Sequence, residues 1–254
     1  MFKIENLSVA FDQRPILDQI NLEIEENQWY MVLGPNGVGK TTLANAVAGQ
    51  IDYEGAVFFQ GRNIKKFYPK EKARSVGFLT QHHEATYGYT VQEIVELGRY
   101  PYHQGMFYQE SARDRDRVDY ALEVTGMQDF RQRPVTTLSG GELQRTYLAQ
   151  LLAQNPHVMI LDEPANHLDL SFETDFYRLI DDWRREEGRC VISIMHDLTV
   201  ARKYGDRALL LGKDNQVHEG RIDEVLSRTR LQEVFDVDVV ELMRDRYELW
   251  TKKE

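Results

Sequence analysis

The chain is organised around Trp29-Tyr30-Met31-Val32-Leu33-Gly34-Pro35-Asn36-Gly37-Val38-Gly39-Lys40-Thr41. Trp29 to Leu33 is a short, mostly apolar run, and Thr41 to Ala48 has helical spacing. Strand, glycine-rich loop and helix in this order are what a phosphate-binding loop requires. The glycines let backbone N–H groups turn inward, and the helix adds the positive end of its dipole. Together they cradle polyphosphate. Lys40 then reaches the β- and γ-phosphates of a nucleoside triphosphate, and the Thr41 hydroxyl ligates magnesium. The bland alternative is a glycine-rich turn before a helix, which the flanking strand and helix disfavour.

A length of 254 residues fits one large domain, or one core with an inserted subdomain. Lys and Arg number 31 against 41 Asp and Glu, a net charge of −10. That balance argues against a nucleic-acid binder, which shows a basic footprint. No run approaches the roughly 20 apolar residues of a membrane span. Met1 to Asn6 lacks the apolar core of a signal peptide. Any membrane role is therefore expected to come through a partner. Cys190 is the only cysteine and sits in an apolar run, which reads as a buried structural thiol of a cytosolic protein.

Outward from the loop, the first segment reads as strands. Ile4, Leu7, Val9 and Phe11 lie near a two-residue alternation, and Ile20, Leu22 and Ile24 keep it strictly. Gln13 to Pro15 turns between them, and Ala56 to Phe59 is a further short strand. These are expected to form an antiparallel layer beside the core. Ser75 to Thr80 is another apolar strand, ending at Gln81. Thr90-Val91-Gln92-Glu93 carries a capping-box pattern with Gly98 as its stop, and Gly98 to Gln109 reads as a loop. Glu110 to Val124 is an amphipathic helix with Val118, Ala121 and Leu122 inward. Ser139-Gly140-Gly141-Glu142 opens a helix with Leu143, Leu148, Leu151 and Leu152 on one broad face.

Residues 87–155 are thus expected as a helical subdomain inserted into an α/β core of residues 1–86 and 156–254, all within a single domain 1–254. The core resumes at Val158-Met159-Ile160-Leu161, a continuous apolar run expected of a central parallel strand. Ser171 to Glu187 is helical, Val191 to Met195 is a buried strand, and 208–220 is a hairpin turning at Lys213-Asp214-Asn215. The tail from Ile222 is expected to form a helix or two and a final strand pair.

Four predicted strands end in polar residues: at Gly34, Gln81, Asp162-Glu163 and His196. Ligands of open α/β sheets bind at the carboxyl ends of strands, so these residues should converge. Asp162 and Glu163 can serve one site only if the strand ends between them, and Pro164 is placed to end it. Asp162 then holds magnesium, and Glu163 is the general base for the attacking water. The alternative is a solvated acidic turn. Gln81 reads either as a surface turn residue or as a contact to magnesium and the γ-phosphate side. His196 reads either as a core histidine or as a γ-phosphate sensor. Phe11 reads as core or as a platform stacking on adenine.

Ser139 with Glu142 makes an ordinary capping box. Two glycines at a helix start, however, weaken the helix unless their bare N–H groups have a use, and a phosphate would supply one. A second phosphate site in the inserted region is reconciled with the first by a symmetric dimer. Each ATP then sits on the loop of one copy and under Ser139 to Gly141 of the other.

In these motifs the chain resembles the ATP-binding cassette (ABC) ATPases over nearly its full length. The resemblance rests on the Walker A residues Gly34 to Thr41, the Q-loop Gln81, the signature Leu138 to Glu142, Walker B Val158 to Glu163, the D-loop ending Leu168-Asp169 and the switch His196. It implies an α/β P-loop NTPase core with a mostly parallel sheet, the antiparallel layer and the helical insert. It implies ATP and Mg²⁺ as cofactors. The expected nucleotide contacts are Phe11, Gly34, Pro35, Asn36, Gly37, Val38, Gly39, Lys40, Thr41, Thr42, Ser139, Gly140, Gly141, Glu142 and Asp169. Thr41, Gln81 and Asp162 would hold the metal, and Glu163, His196 and Gln81 would serve catalysis.

A narrower resemblance is to the ATPase subunits of importers for iron-siderophore, haem and cobalamin. It is carried by Gly98-Arg99-Tyr100-Pro101, Met195-His196-Asp197-Leu198 and Leu231-Gln232-Glu233-Val234-Phe235. It implies a second copy of the chain, a permease at the cytoplasmic face of the membrane and, indirectly, a substrate-binding protein. The permease contact falls on Tyr87, Tyr89, Thr90 and Arg99 to Tyr102, or else those side chains are subdomain core. Departures are Glu142 for Gln in the signature, Thr80 for Pro before Gln81, Ala165 for Thr or Ser after Walker B, and Asn27-Gln28 for Gly-Glu. None removes a catalytic group. The competing classes are an importer ATPase for another substrate and a soluble ABC ATPase of repair or translation. A P-loop kinase or GTPase has no use for Ser139 to Gly141.

Overall fold

The computed structural model describes residues 1–81, 88–103, 111–166, 168–213 and 215–251. The chain begins with β1 (Phe2–Phe11), β2 (Arg14–Ile24), β3 (Trp29–Leu33), α1 (Lys40–Val47), β4 (Glu54–Phe59), β5 (Arg62–Asn63), α2 (Pro69–Ser75) and β6 (Val76–Leu79). Three helices follow, α3 (Val91–Leu97), α4 (Ala112–Val124) and α5 (Gly140–Gln154). It returns through β7 (Val158–Asp162), α6 (Leu170–Arg184), β8 (Cys190–Ile194), α7 (Leu198–Tyr204), β9 (Arg207–Leu211) and β10 (Val217–Arg221). It closes with α8 (Ile222–Val225), α9 (Arg228–Phe235) and α10 (Val239–Thr251).

Two sheets result. One is antiparallel, in the order β2-β1-β4-β5. The other runs β10-β9-β3-β8-β7-β6, parallel throughout except for the β9–β10 hairpin at its edge. Every residue of β3, β7 and β8 is buried, as a sheet covered on both faces demands. The two-residue period divides their side chains. Trp29, Met31, Leu33, Met159 and Leu161 join a core that runs into α3, α4, α5 and α6. Tyr30, Val32, Val158 and Ile160 face α1 and the antiparallel sheet. Cys190 is fully buried, and burial pushes its thiol up to about 12.

The helical region is pinned by a buried ion pair. Arg99 Nε donates to Asp114 Oδ1 at 2.8 Å, and Nη1 donates to the Ala153 carbonyl at 2.6 Å. The guanidinium lies 3.9 Å from the centroid of Tyr102, whose hydroxyl donates to Gln154 O at 3.0 Å. One arginine thus ties together the end of α3, the first turn of α4 and the last turn of α5. Arg99 and Asp114 are 5% and 4% exposed, so both side chains are buried within the helical region. Of the two readings left open for this loop, permease contact or core, the Arg99 side chain has the burial of the second. Pro101 is buried as well, while Tyr89 and Tyr100 remain exposed. Tyr87, and with it the expected boundary at 86/87, lies outside the described residues, as do Glu110 and Asp214.

The tail differs from expectation. Among the described residues after Arg221 there is no strand; the segment is helical. Val237, Val239 and Val240 have strand propensity, but Asp238 overrides it by starting α10. Its Oδ1 accepts from Glu241 N at 3.2 Å, and Arg228 pairs with it. The short helix α2 also goes beyond the sequence reading, because its seven residues, Pro-Lys-Glu-Lys-Ala-Arg-Ser, carry no apolar period.

Candidate nucleotide site

The loop between β3 and α1 needs its glycines. Gly34 sits at φ +141°, and a Cβ there would lie 2.2 Å from Leu211 O on the neighbouring strand. Gly39, at φ +100°, begins α1 in the left-handed region and offers no side-chain cap. The first N–H groups of α1 are thereby left for a ligand's oxygens. Lys40 folds across the loop, its Nζ donating to Gly34 O and Pro35 O, both at 2.9 Å. Burial pulls its ammonium below the usual lysine range, and the carboxylates of Glu163 and Asp162 oppose that.

A cleft of about 630 Å³ opens over the loop. Asn36, Gly37, Gly39, Lys40, Thr41 and Thr42 form its floor. Gln81, Glu163 and His196 reach it from the ends of β6, β7 and β8. Phe11, 51% exposed, stands at its side with Ile16. That exposure rules out the core reading of Phe11. Gly34, Pro35 and Val38 do not line this cleft. Pro35 and Val38 line an adjoining groove with Lys213 and Asn215, which shares Ile16, Asn36 and Gly37 with the cleft.

Asp162 is placed for a metal. Thr41 Oγ1 donates to its Oδ2 at 3.0 Å. Its Oδ1 is buried with no hydrogen-bond partner among the described residues. Burial pushes the carboxyl above the usual range, and the Thr41 hydrogen bond opposes this. A buried, unsatisfied carboxylate oxygen beside a threonine hydroxyl fits magnesium, which takes one or two protein oxygens and completes its shell with phosphates and water. Among the described residues no group of three His, Cys, Asp or Glu side chains forms a full protein cage.

The strand ends where the sequence requires. Glu163 follows β7 with φ +47°, outside strand geometry, so its side chain and that of Asp162 can serve one place. Its carboxylate is a junction. Gln81 Nε2 donates to Oε2 at 2.7 Å, and His196 Nε2 lies 2.6 Å from Oε1. Asn166 Nδ2 also donates to Oε2, at 2.6 Å. Asn166 escaped the sequence reading; its only signal was a place three residues after Glu163 in the same turn.

Ser139 to Glu142 and Asp169 do not line the cleft. Ser139 caps α5, accepting from Glu142 N at 3.3 Å, while Glu142 Oε2 accepts from Ser139 N at 2.7 Å. The bond from Ser139 N, then a bond donated by Ser139 Oγ to the same Oε2 at 2.8 Å, hold the Glu142 carboxyl below the usual range. Asp169 caps α6 through Phe172 N at 2.9 Å and takes Ser171 Oγ at 2.6 Å; the Ser171 bond, then the Phe172 bond, lower its carboxyl. Gln144, on the inner side of α5, donates to Pro164 O at 3.0 Å and so joins this helix to the turn after β7.

The profile of the ABC transporter family matches residues 17–166. The iron(3+)-hydroxamate import ATP-binding protein FhuC of Bacillus subtilis (strain 168) is 35% identical over 235 residues, covering 92% of this chain and 87% of that protein. The ferric enterobactin transport ATP-binding protein FepC of Escherichia coli (strain K12) is 32% identical over 232 residues, covering 91% and 85%. An uncharacterised ABC transporter ATP-binding protein of Bacillus subtilis, YvrA, is 36% identical over 242 residues; 95% of this chain is covered, but the chain spans only 55% of that longer protein. Among solved structures, the dimeric post-hydrolysis state of the ATP-binding cassette MJ0796 with ADP and phosphate superposes with a TM-score of 0.76 at 28% identity, covering 87% of this chain and 99% of that one. CbiO1 of Clostridium perfringens, part of an ABC transporter complex, gives 0.75 at 26% identity, covering 95% and 96%.

Proposed function

The chain belongs to the ABC transporter ATP-binding family, and we propose that it is the ATP-hydrolysing subunit of an importer for an iron-siderophore, haem or cobalamin-type substrate. It is an ATP hydrolase of the ABC type. The observation that carries the mechanism is the Glu163 carboxylate, held at the mouth of the phosphate-binding loop by the ends of two other strands.

The loop amides and Lys40 bind the triphosphate, exchanging the Gly34 and Pro35 carbonyls for phosphate oxygens. Thr41, Asp162 and Gln81 would hold magnesium, which supplies charge neutralisation at the β- and γ-phosphates. Glu163 takes a proton from the attacking water, and His196 steadies the γ-phosphate side. Phe11 stacks on the adenine.

Ser139 to Glu142 and Asp169 lie outside the cleft of their own copy. Two copies closing around two ATP molecules would bring them to the partner's nucleotide. The MJ0796 neighbour, described as a dimer, supports this reading. The exposed Tyr89 and Tyr100 remain candidates for contact with a permease. Residues 87–155 form the helical subdomain that carries Ser139 to Glu142, beside a core of 1–86 and 156–254. No helix among the described residues is long and apolar enough to cross a membrane; the chain works at the cytoplasmic face through its permease, which a substrate-binding protein supplies. Nucleic acid is not a partner.

The test is affinity capture of the chain from its own membranes. Recovery of a polytopic membrane protein supports the importer, and recovery of ribosomes or DNA-repair factors instead would sink it. A Ser139→Phe variant should still bind a fluorescent ATP analogue as a monomer but fail to hydrolyse ATP. Loss of binding would contradict the shared site.

A further inference from the structure

The turn after β7 is held from two directions. Glu163 occupies the left-handed region, which is unfavourable for a non-glycine residue and persists only where neighbours enforce it. Asn166 enforces it twice. Its backbone N donates to Glu163 O at 3.2 Å, and its Nδ2 donates to Glu163 Oε2 at 2.6 Å. From the other side Gln144, 4% exposed, fixes the Pro164 carbonyl.

The three donors on the Glu163 carboxylate are not equivalent. Gln81 and His196 come from distant strand ends and line the cleft, so an incoming nucleotide competes for both. Asn166 does not line the cleft and sits in the same turn as Glu163. Its bond is local, within one turn, and comes from a residue that does not face an incoming nucleotide.

We propose that Asn166 is a positioning residue for hydrolysis, its amide fixing the plane of the Glu163 carboxylate so that Oε1 faces the cleft. The proposal rests on Glu163 being the base. An N–H held on Oε2 leaves Oε1, the oxygen next to His196, to accept the proton. In the step, a water O–H bond breaks and its proton passes to Oε1. The water oxygen bonds to the γ-phosphorus, and the bond from that phosphorus to the bridging oxygen breaks toward ADP. Small errors in the placement of a base are expensive, about a hundredfold for 1 Å.

The experiment compares wild type, Asn166→Ala, Asn166→Asp, Asn166→Ser and Glu163→Gln as full chains in Mg·ATP. It measures kcat and KM for hydrolysis, binding of a fluorescent ATP analogue, and melting temperature. Asn166→Ala should lower kcat about tenfold, since the carboxylate loses the one orienting bond for which nucleotide does not compete, with KM and binding within about twofold. Asn166→Asp keeps the shape but points a carboxylate at a carboxylate, so it should lose more than Ala. Asn166→Ser, with a hydroxyl donor, should recover part of the loss. A purely structural role predicts the reverse order, Asp tolerated better than Ala, with kcat, KM and melting temperature moving together. That order, or wild-type kcat in Asn166→Ala, overturns the proposal while leaving the ATPase reading intact. A wild type without turnover, or a Glu163→Gln variant as active as wild type, defeats the underlying assignment of the base and the proposal with it.

Discussion

Replacing Arg99 by alanine should cost the fold about 4 kcal/mol. The substitution removes a charge-assisted bond to Asp114, about 1.5–3 kcal/mol. It strips the donor from Ala153 O, a last-turn carbonyl with no helical partner of its own, about 1–3 kcal/mol. It also deletes a desolvated cation–π contact with Tyr102, up to about 2 kcal/mol. These contributions overlap, and breaking a buried pair from one side costs about 3–5 kcal/mol in total. Asp114 keeps a bond from Ser111 N at 3.2 Å on its other oxygen, which argues against the top of that range. Urea unfolding followed by circular dichroism on wild type, Arg99→Ala, Asp114→Ala and the double variant reads the cost. The cycle should return a coupling of about 2 kcal/mol, within the range for neighbours that share a bond. The pair does not line the nucleotide cleft, so folded Arg99→Ala should bind a fluorescent ATP analogue as wild type does. A loss below about 1 kcal/mol, or single losses that merely add, would refute the view of Arg99 as a buried clamp.

Glu163→Gln should keep ATP binding, lower turnover by about 10²–10⁴ and yield a stable ATP-bound dimer on size exclusion; retained hydrolysis would remove Glu163 as the base. Lys40→Ala should abolish binding at millimolar ATP, measured by analogue fluorescence, since it removes the one buried cation of the loop. Asp162→Asn tests the metal through pH. The Asp162 carboxyl is pushed up by burial, so the folded state holds its proton more tightly than the unfolded state. Its contribution to stability is therefore most favourable at acid pH. It falls as pH rises from the unfolded value of about 3.9 to the raised folded value, and stays as a constant cost above. Without magnesium, Asp162→Asn should be at least as stable as wild type at neutral pH, with the gap closing toward acid, and should lose the stabilisation that Mg·ATP gives wild type. A variant less stable than wild type at pH 7 in thermal melts would contradict this.

The parallel core was legible because buried strands write continuous apolar runs. Val158 to Leu161 could hardly be anything else, and Asp162-Glu163-Pro164 announced its end. Capping boxes at Thr90 and Ser139 placed two helices by local chemistry alone. The helices of the tail were expected, but a final strand pair was expected with them and is not found among the described residues: Val237, Val239 and Val240 carry strand propensity, while the decisive signal was a single capping aspartate. Arg99 was left open between surface and core for a different reason. A charged residue in an aromatic loop looks like surface until its partner, fifteen residues away, is placed beside it in the core. Asn166 was invisible because its role lies in the rotamer of one amide, which no spacing records.

The bond from Gln144 to Pro164 O has a consequence for timing. In the proposed dimer, α5 has its N-terminus against the partner's nucleotide, while its flank grips the turn that carries its own copy's base. A hydrogen bond weakens steeply as its geometry departs from the ideal, so a tilt of α5 would strain its link to that turn. Each copy would thus register the loading of its neighbour's site in the set of its own base. The two hydrolysis events are then coupled through the frame of the protein, and the rate should rise with ATP more steeply than a simple hyperbola.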